Sequence, residues 1–203
     1  MISPELRDEF DRLQQLITTH VNDADWETAS RYASDLCNKL DDFYGDYVCV
    51  HIAIAYHQYG FILMKLEYWV DACMTFKRAL VLKTPLYESG KIDLASVGNT
   101  VYNYGMSSMN IHKYKQAINA FTLIIKSPEY ISSTTLLTPD NIDDATTQVY
   151  MLCNLAMAHR RLNDEFNCFK YVEIIRKQLG NIDDPSVSAG CSSAILECIG
   201  VEE

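Results

Sequence analysis

Two stretches of the chain share one arrangement of apolar and polar positions. In residues 55–85 and again in 100–128, an apolar-rich segment carries a Tyr-Gly pair near its middle, Tyr59–Gly60 and Tyr104–Gly105. Nine residues after each Gly stands an aromatic, Trp69 or Tyr114; three further on stands Ala72 or Ala117; four more bring Phe76 or Phe121; and each stretch closes on Pro85 or Pro128. Apolar positions spaced three and four apart predict helices, two in each stretch. The spacing has a packing cause. Two antiparallel helices approach closely where one offers a very small residue and the other a knob. Gly60 and Gly105 make room on the first helix, Ala72 and Ala117 on the second. Phe76 and Phe121 lie one turn beyond those alanines and are predicted to fill the space to the next unit. Pro85 and Pro128 are predicted to stop the second helix.

Two less regular copies flank this pair. In residues 149–179, Ala156 stands where Gly stood, Cys168 where Ala stood, and Phe166 comes one place late for the aromatic, which predicts a different turn. In residues 10–40, Trp26 and Ala29 match but Ile17 replaces the small residue. The Gly-like positions are then 43, 45 and 51 residues apart. The additional length falls in 84–99 and 127–148, where Ser-Pro, Thr-Pro-Asp and Asn-Ile-Asp-Asp mark loops and helix starts.

Together the small residue, the aromatic, the Ala and the Phe resemble the tetratricopeptide (TPR) repeat, and the lengthened period resembles kinesin light chain-like arrays. The resemblance implies an all-α fold: a right-handed helical-hairpin solenoid of about four repeats. Repeats are expected near 10–43, 53–85, 98–128 and 149–179, in one domain over 1–203. The segment after Pro185 is expected to form a capping helix near 185–199.

Composition supports long helices: the 203 residues are 48% hydrophobic, with only 8 Gly and 5 Pro. The net charge is −10, and residues 1–50 hold 11 acidic against 4 basic side chains. An acidic chain lacks the clustered cations that nucleic acid and anionic membranes require, so neither partner is expected. The acidic end reads as a solubilising cap or as a docking face for a basic segment. The opening MISPELRDEFDRL is charged and contains Pro, so no signal peptide is expected. The apolar stretch 48–66 is interrupted by His51, His57, Gln58 and Lys65 and reads as a buried helix, not a membrane span. The seven cysteines show no CxxC and no zinc spacing, and read as small apolar residues in a reducing compartment. A cytoplasmic location follows, with the nucleus also open.

No chemistry-bearing motif is present. HxxxH, HExxH, GxSxG, GxGxxG and GxxxxGK[ST] are absent, Cys153 and His159 are six apart on a helix, and Asp41–Asp42, Asp143–Asp144 and Asp183–Asp184 read as helix-start or loop acids. No enzyme activity, cofactor or metal is expected. In TPR arrays the first helices line the concave wall. The alignment therefore assigns to a peptide-binding groove His57, Phe61, Met64 and Lys65 from the second unit, with Ile54 beside them. From the third come Asn99, Tyr102, Met106, Met109 and Asn110; from the fourth, Tyr150, Met157, Arg160 and Arg161, with Cys153 beside them. Met and aromatic side chains suit a surface that takes an apolar helix or an extended peptide. The same stripe would also pack against a long helix of this chain, with 185–203 the candidate. TPR proteins that grip a chaperone's C-terminal carboxylate use a Lys, Asn and Arg cluster. Here the matching places hold His57, Phe61, Asn99, Asn103 and Met106, without the basic members.

The expected partner is another protein, bound through a short linear segment or helix, with a homo-oligomer also open. Two other readings stand beside this adaptor. Residues 33–68 resemble the first repeats of the nuclear autoantigenic sperm protein family, acidic TPR histone chaperones, although the long acidic insertion of that family is missing. The other is a structural subunit or homodimer.

Overall fold

The computed structural model describes residues 4–45, 47–126, 144–180 and 185–199. Those residues form nine α-helices and no strand: α1 Pro4–Asn22, α2 Trp26–Tyr44, α3 Val50–Lys65, α4 Trp69–Glu88, α5 Leu94–Asn110, α6 Tyr114–Lys126, α7 Asp144–Arg161, α8 Glu165–Leu179 and α9 Pro185–Ile199. The helices pair as antiparallel hairpins, α1–α2, α3–α4, α5–α6 and α7–α8, with α9 lying against both α7 and α8. None of the described helices is long and apolar enough to cross a membrane.

The same turn closes all four hairpins. The residue two places before each second helix is left-handed and none is Gly: Ala24 (φ 56°), Glu67 (60°), His112 (59°) and Asn163 (57°). The next residue's N–H reaches back to the carbonyl five residues earlier, at 2.8 Å from Asp25 to His20, 2.9 Å from Tyr68 to Leu63, 2.8 Å from Lys113 to Ser108 and 2.9 Å from Asp164 to His159. This satisfies carbonyls that the first helix would otherwise leave orphaned. The fourth turn is therefore the same as the others. Glu165, not Phe166, takes the place of the first-position aromatic, and Phe166 is left 80% exposed.

Two compact units divide at Asp93 and Leu94. The first holds α1–α4 around a core that includes Leu13, Ile17, Ala33, Leu36, Ile52, Ile62 and Leu86. The second holds α5–α9. One of its clusters joins Ala117, Phe121 and Leu155, and another joins Val149, Leu152, Ala156, Val172 and Ile175 to four cysteines.

Phe76 and Phe121 fill the crossing of their own hairpins, and Phe121 also packs with Leu155 of the next one. A Cβ added at Gly60 would lie 2.8 Å from Phe76 Cε1, and one at Gly105 would lie 2.7 Å from Phe121 Cε1. Both rings are fully buried. The equivalent pairs in the outer hairpins are Ile17 with Ala33 and Ala156 with Val172, all buried. Where the first helix carries a large residue the second carries a small one, and the reverse, so the volume filled at this crossing is roughly conserved.

Pro85 does not end its helix; α4 runs on to Glu88. Only the proline's own N–H is lost, and the Ser89 N–H and hydroxyl both donate to the Pro85 carbonyl, at 3.1 and 2.8 Å. Pro128 lies outside the described residues.

Candidate protein-binding surfaces

In the first unit the turn before α2 presents Trp26 to α3. Trp26 packs edge-on to Phe61 (6.1 Å, 84°), and the Lys65 ammonium stands 5.8 Å from the indole and 5.4 Å from the phenyl centroid. Phe61 and Met64 are half-buried and Lys65 is exposed, as is Ile54. The group forms an aromatic shelf carrying a cation. His57, four residues before Phe61, turns toward the core, where its ring meets Phe76 edge-on at 5.7 Å. Burial, with a smaller push from the Lys83 charge, lowers its pKa to about 3, so it is neutral at physiological pH. Lys83 of α4 is 3% exposed. Burial lowers its pKa to about 8 against the opposing charge of Asp93.

In the second unit Tyr102, Met106 and Met109 lie along α5 and pack, half-buried, on Ala117, Phe121 and Leu155. Tyr102 meets Phe121 at 6.0 Å and hydrogen-bonds Asn154 across to α7. Burial raises its pKa and that hydrogen bond opposes the rise. Asn110 is exposed, its amide donating to the Met106 carbonyl at 3.0 Å. Asn99 and Asn103, one turn apart on α5, each hold a buried Oδ1 with no hydrogen-bond partner among the described residues; Asn103 is 2% exposed.

On α7 the assigned residues meet α9. Arg161 pairs with Glu197 at 2.6 Å, and a Cβ at Gly190 would touch the Tyr150 hydroxyl at 3.4 Å. Cys153 and Met157 belong to the same cluster as Cys191 and Cys198. Arg160 reaches instead to Glu165 at 3.4 Å across the hairpin turn. The adjacent arginines thus take two different acids, as their 100° angular separation on a helix requires.

One arrangement escaped the sequence reading although its signal is present. His20, Asp25 and Tyr32 recur with identical spacing as His159, Asp164 and Tyr171. In both, the His Nδ1 meets the Asp Oδ2 (3.1 and 2.9 Å) and its ring stacks on the Tyr (5.6 and 5.5 Å). The same Asp caps the second helix, accepting the N–H of Thr28 or Asn167 at 3.2 Å. A search for catalytic or metal pairs passes over this motif because its work is structural: it fastens a helix end to the next helix start. Elsewhere, an open polar hollow of about 480 Å³ lies on the outer face of α2 beside Tyr59, lined by Glu27, Arg31, Asp35 and Asn38 among others. Among the described residues, no three His, Cys, Asp or Glu converge as a metal site.

No protein-family model matches this chain, and no curated protein matches it. Solved structures do match in fold. One is the crystal structure of a single-substitution variant of a Podosopora anserina putative kinesin light chain with nearly identical TPR-like repeats. It has a TM-score of 0.69 at 10% identity, covering 99% of this chain and 89% of that one. BtubC (BKLC) from P. vanneervenii gives 0.62 at 12%, covering 85% and 63%. The apo form of RapI gives 0.67 at 14%, covering 98% and 52%. This chain thus spans less than two thirds of the last two. At these identities the likeness shows the fold: an all-α helical repeat of the TPR type.

Proposed function

We propose that this TPR-type chain is a non-catalytic adaptor that holds a helix or short linear segment of another protein against the first helices of its hairpins. The observation that carries the reading is the row Tyr102, Met106 and Met109 on α5. These are large, adaptable apolar side chains left half-buried, with polar Asn110 at their end. Flexible Met surfaces repack around varied apolar ligands, and a neighbouring polar rim gives register. The Trp26–Phe61–Lys65 shelf of the first unit offers the same combination of apolar area and polar tip. Cytoplasm is the location proposed for it.

The test is an affinity capture from native extract with the unaltered chain and with a Met106→Glu/Met109→Glu variant, both checked by circular dichroism. The reading expects a partner retained by the first and lost by the second, with helicity and melting temperature nearly unchanged. A partner kept by both moves the site elsewhere, and a variant that unfolds makes those methionines core.

The polar hollow on α2 and the acidic first helices support a second reading, an acidic chaperone of basic proteins such as histones. Salt separates the two. Capture of a basic protein weakens steeply from low to physiological ionic strength, whereas apolar groove binding does not.

A further inference from the structure

Among the described residues of helix α9 the fully buried side chains are Cys191 and Cys198, with Ala194 and Ile195 half-buried against the same cluster. Cys191 and Cys198 are seven residues apart, two helical turns, and therefore share one face. That face is the buried one, at 0% and 1% exposure, whereas Ser188, Ala189, Gly190, Ser192 and Ser193 are exposed. At one end of the seam the Cys191 thiol hydrogen-bonds the thiol of Cys153 on α7. At the other, Cys168 on α8 donates its thiol to the Cys198 carbonyl at 3.9 Å, and the two thiols interact directly. All four are free thiols in one core cluster. Each pair joins α9 to a different helix of the α7–α8 hairpin, and the Arg161–Glu197 ion pair lies on the same seam.

We propose that these pairs are redox staples: a small-molecule disulfide of the glutathione type oxidises Cys153 with Cys191, and Cys168 with Cys198, fastening α9 onto α7 and α8. In each pair one cysteine, as its thiolate, attacks the small disulfide. A protein–small-molecule mixed disulfide forms and one small thiolate leaves. The second cysteine, having lost its proton to solvent, then attacks the protein sulfur of that mixed disulfide and expels the other small thiolate. Two protein thiols are oxidised to one disulfide, one small disulfide is reduced to two thiols, and the two protons released protonate the leaving thiolates. Burial raises the pKa of Cys153, Cys191 and Cys198, so the docked seam is inert and the reaction proceeds through transient lifting of α9. Each disulfide closes on redocking, because only then do the pairs meet.

The experiment treats the full chain with oxidised glutathione, digests it with trypsin without reductant and maps linked peptides. Further cleavage after Glu197 separates Cys191 from Cys198. With the same cut after Glu129 and Glu165, peptide 130–160 joined to the Cys191 fragment and peptide 166–170 joined to the Cys198 fragment are expected. Amide exchange in α9 is expected to slow at least about tenfold. A Cys191→Ala variant loses the first link and keeps the second. Glutathione held on single cysteines, links to Cys37, Cys49 or Cys73, the absence of links, or links that leave α9 exchange unchanged would each overturn the proposal.

Discussion

At the scale of single residues, the hairpin crossing behaves as one conserved volume split between two positions. Gly60 has no room for a Cβ beside Phe76, so Gly60→Ala is expected to destabilise by about 1–3 kcal/mol through overpacking. Phe76→Val leaves a cavity, with a cost of about 1–3 kcal/mol. Together they recreate the Ala156–Val172 pair that the fourth hairpin already uses. The double variant is therefore expected to lose at least about 1 kcal/mol less than the two costs added, measured by urea unfolding as a double-mutant cycle. Additive losses would show that the two positions do not share a volume. Two buried bases contribute to the pH response. His57, whose folded pKa of about 3 lies below its ordinary 6.5, binds a proton more readily when unfolded. Stability is thus lost as pH falls from about 6.5 toward 3. Lys83, at about 8 against 10.5, opposes folding while charged, so stability rises between those pH values. Melting scans of Lys83→Met are expected to lack the alkaline rise. At pH 7 that variant should be unchanged or more stable by about 1 kcal/mol, because exposed Asp93 is left in water.

At the scale of elements, the four hairpins differ in sequence and agree in turn. A left-handed non-Gly residue carries a steric cost that Gly avoids. Glu67→Gly is accordingly expected to stabilise by about 0.5 kcal/mol, since Glu67 is exposed and its side chain is not needed for φ 60°. No gain in the urea midpoint would show that Gly's added freedom in the unfolded chain cancels the relief. The outer hairpins add the His–Asp–Tyr clasp. Asp25 is held below its ordinary 3.8 by the side-chain and then the backbone hydrogen bond of Thr28, with His20 adding to both. Asp164 is held down in the same way by Asn167 and His159. The contribution of each cap is present above the ordinary carboxylate pKa and is lost as pH falls through the lowered value. Asp25→Ala or Asp164→Ala should each lower the melting temperature by a few degrees at pH 7 and shrink the acid-side loss, which paired thermal melts at pH 7 and pH 3 would read out.

At the scale of the molecule, the chain divides into two compact units at Asp93 and Leu94. Phe76→Ala is therefore expected to raise amide exchange in α1–α4 more than in α5–α9, by about tenfold or greater. Equal acceleration throughout would show that the chain opens as one cooperative body. On α7 the residues assigned to a groove lie against α9, within the segment 185–203 that the sequence offered as an alternative neighbour. Tyr150 and Arg161 occupy first-helix positions like those of Asn99 and Asn110, yet their neighbour is α9 of the same chain.

By itself the sequence determined the helices, their pairing into hairpins and the TPR-type fold. These follow from local spacing: small residue, aromatic, Ala and knob recur at intervals that only paired helices satisfy. It also carried the outer-hairpin clasp, visible as a repeated His, Asp and Tyr. Tertiary structure alone decided which way each knob points. It set Phe76 and Phe121 into their own hairpins and turned His57 toward Phe76. It let α4 run past Pro85 and brought four cysteines from three helices onto one seam. The reason is physical: periodicity assigns a residue to a face of its helix, but the neighbour that face meets depends on elements far away in the chain.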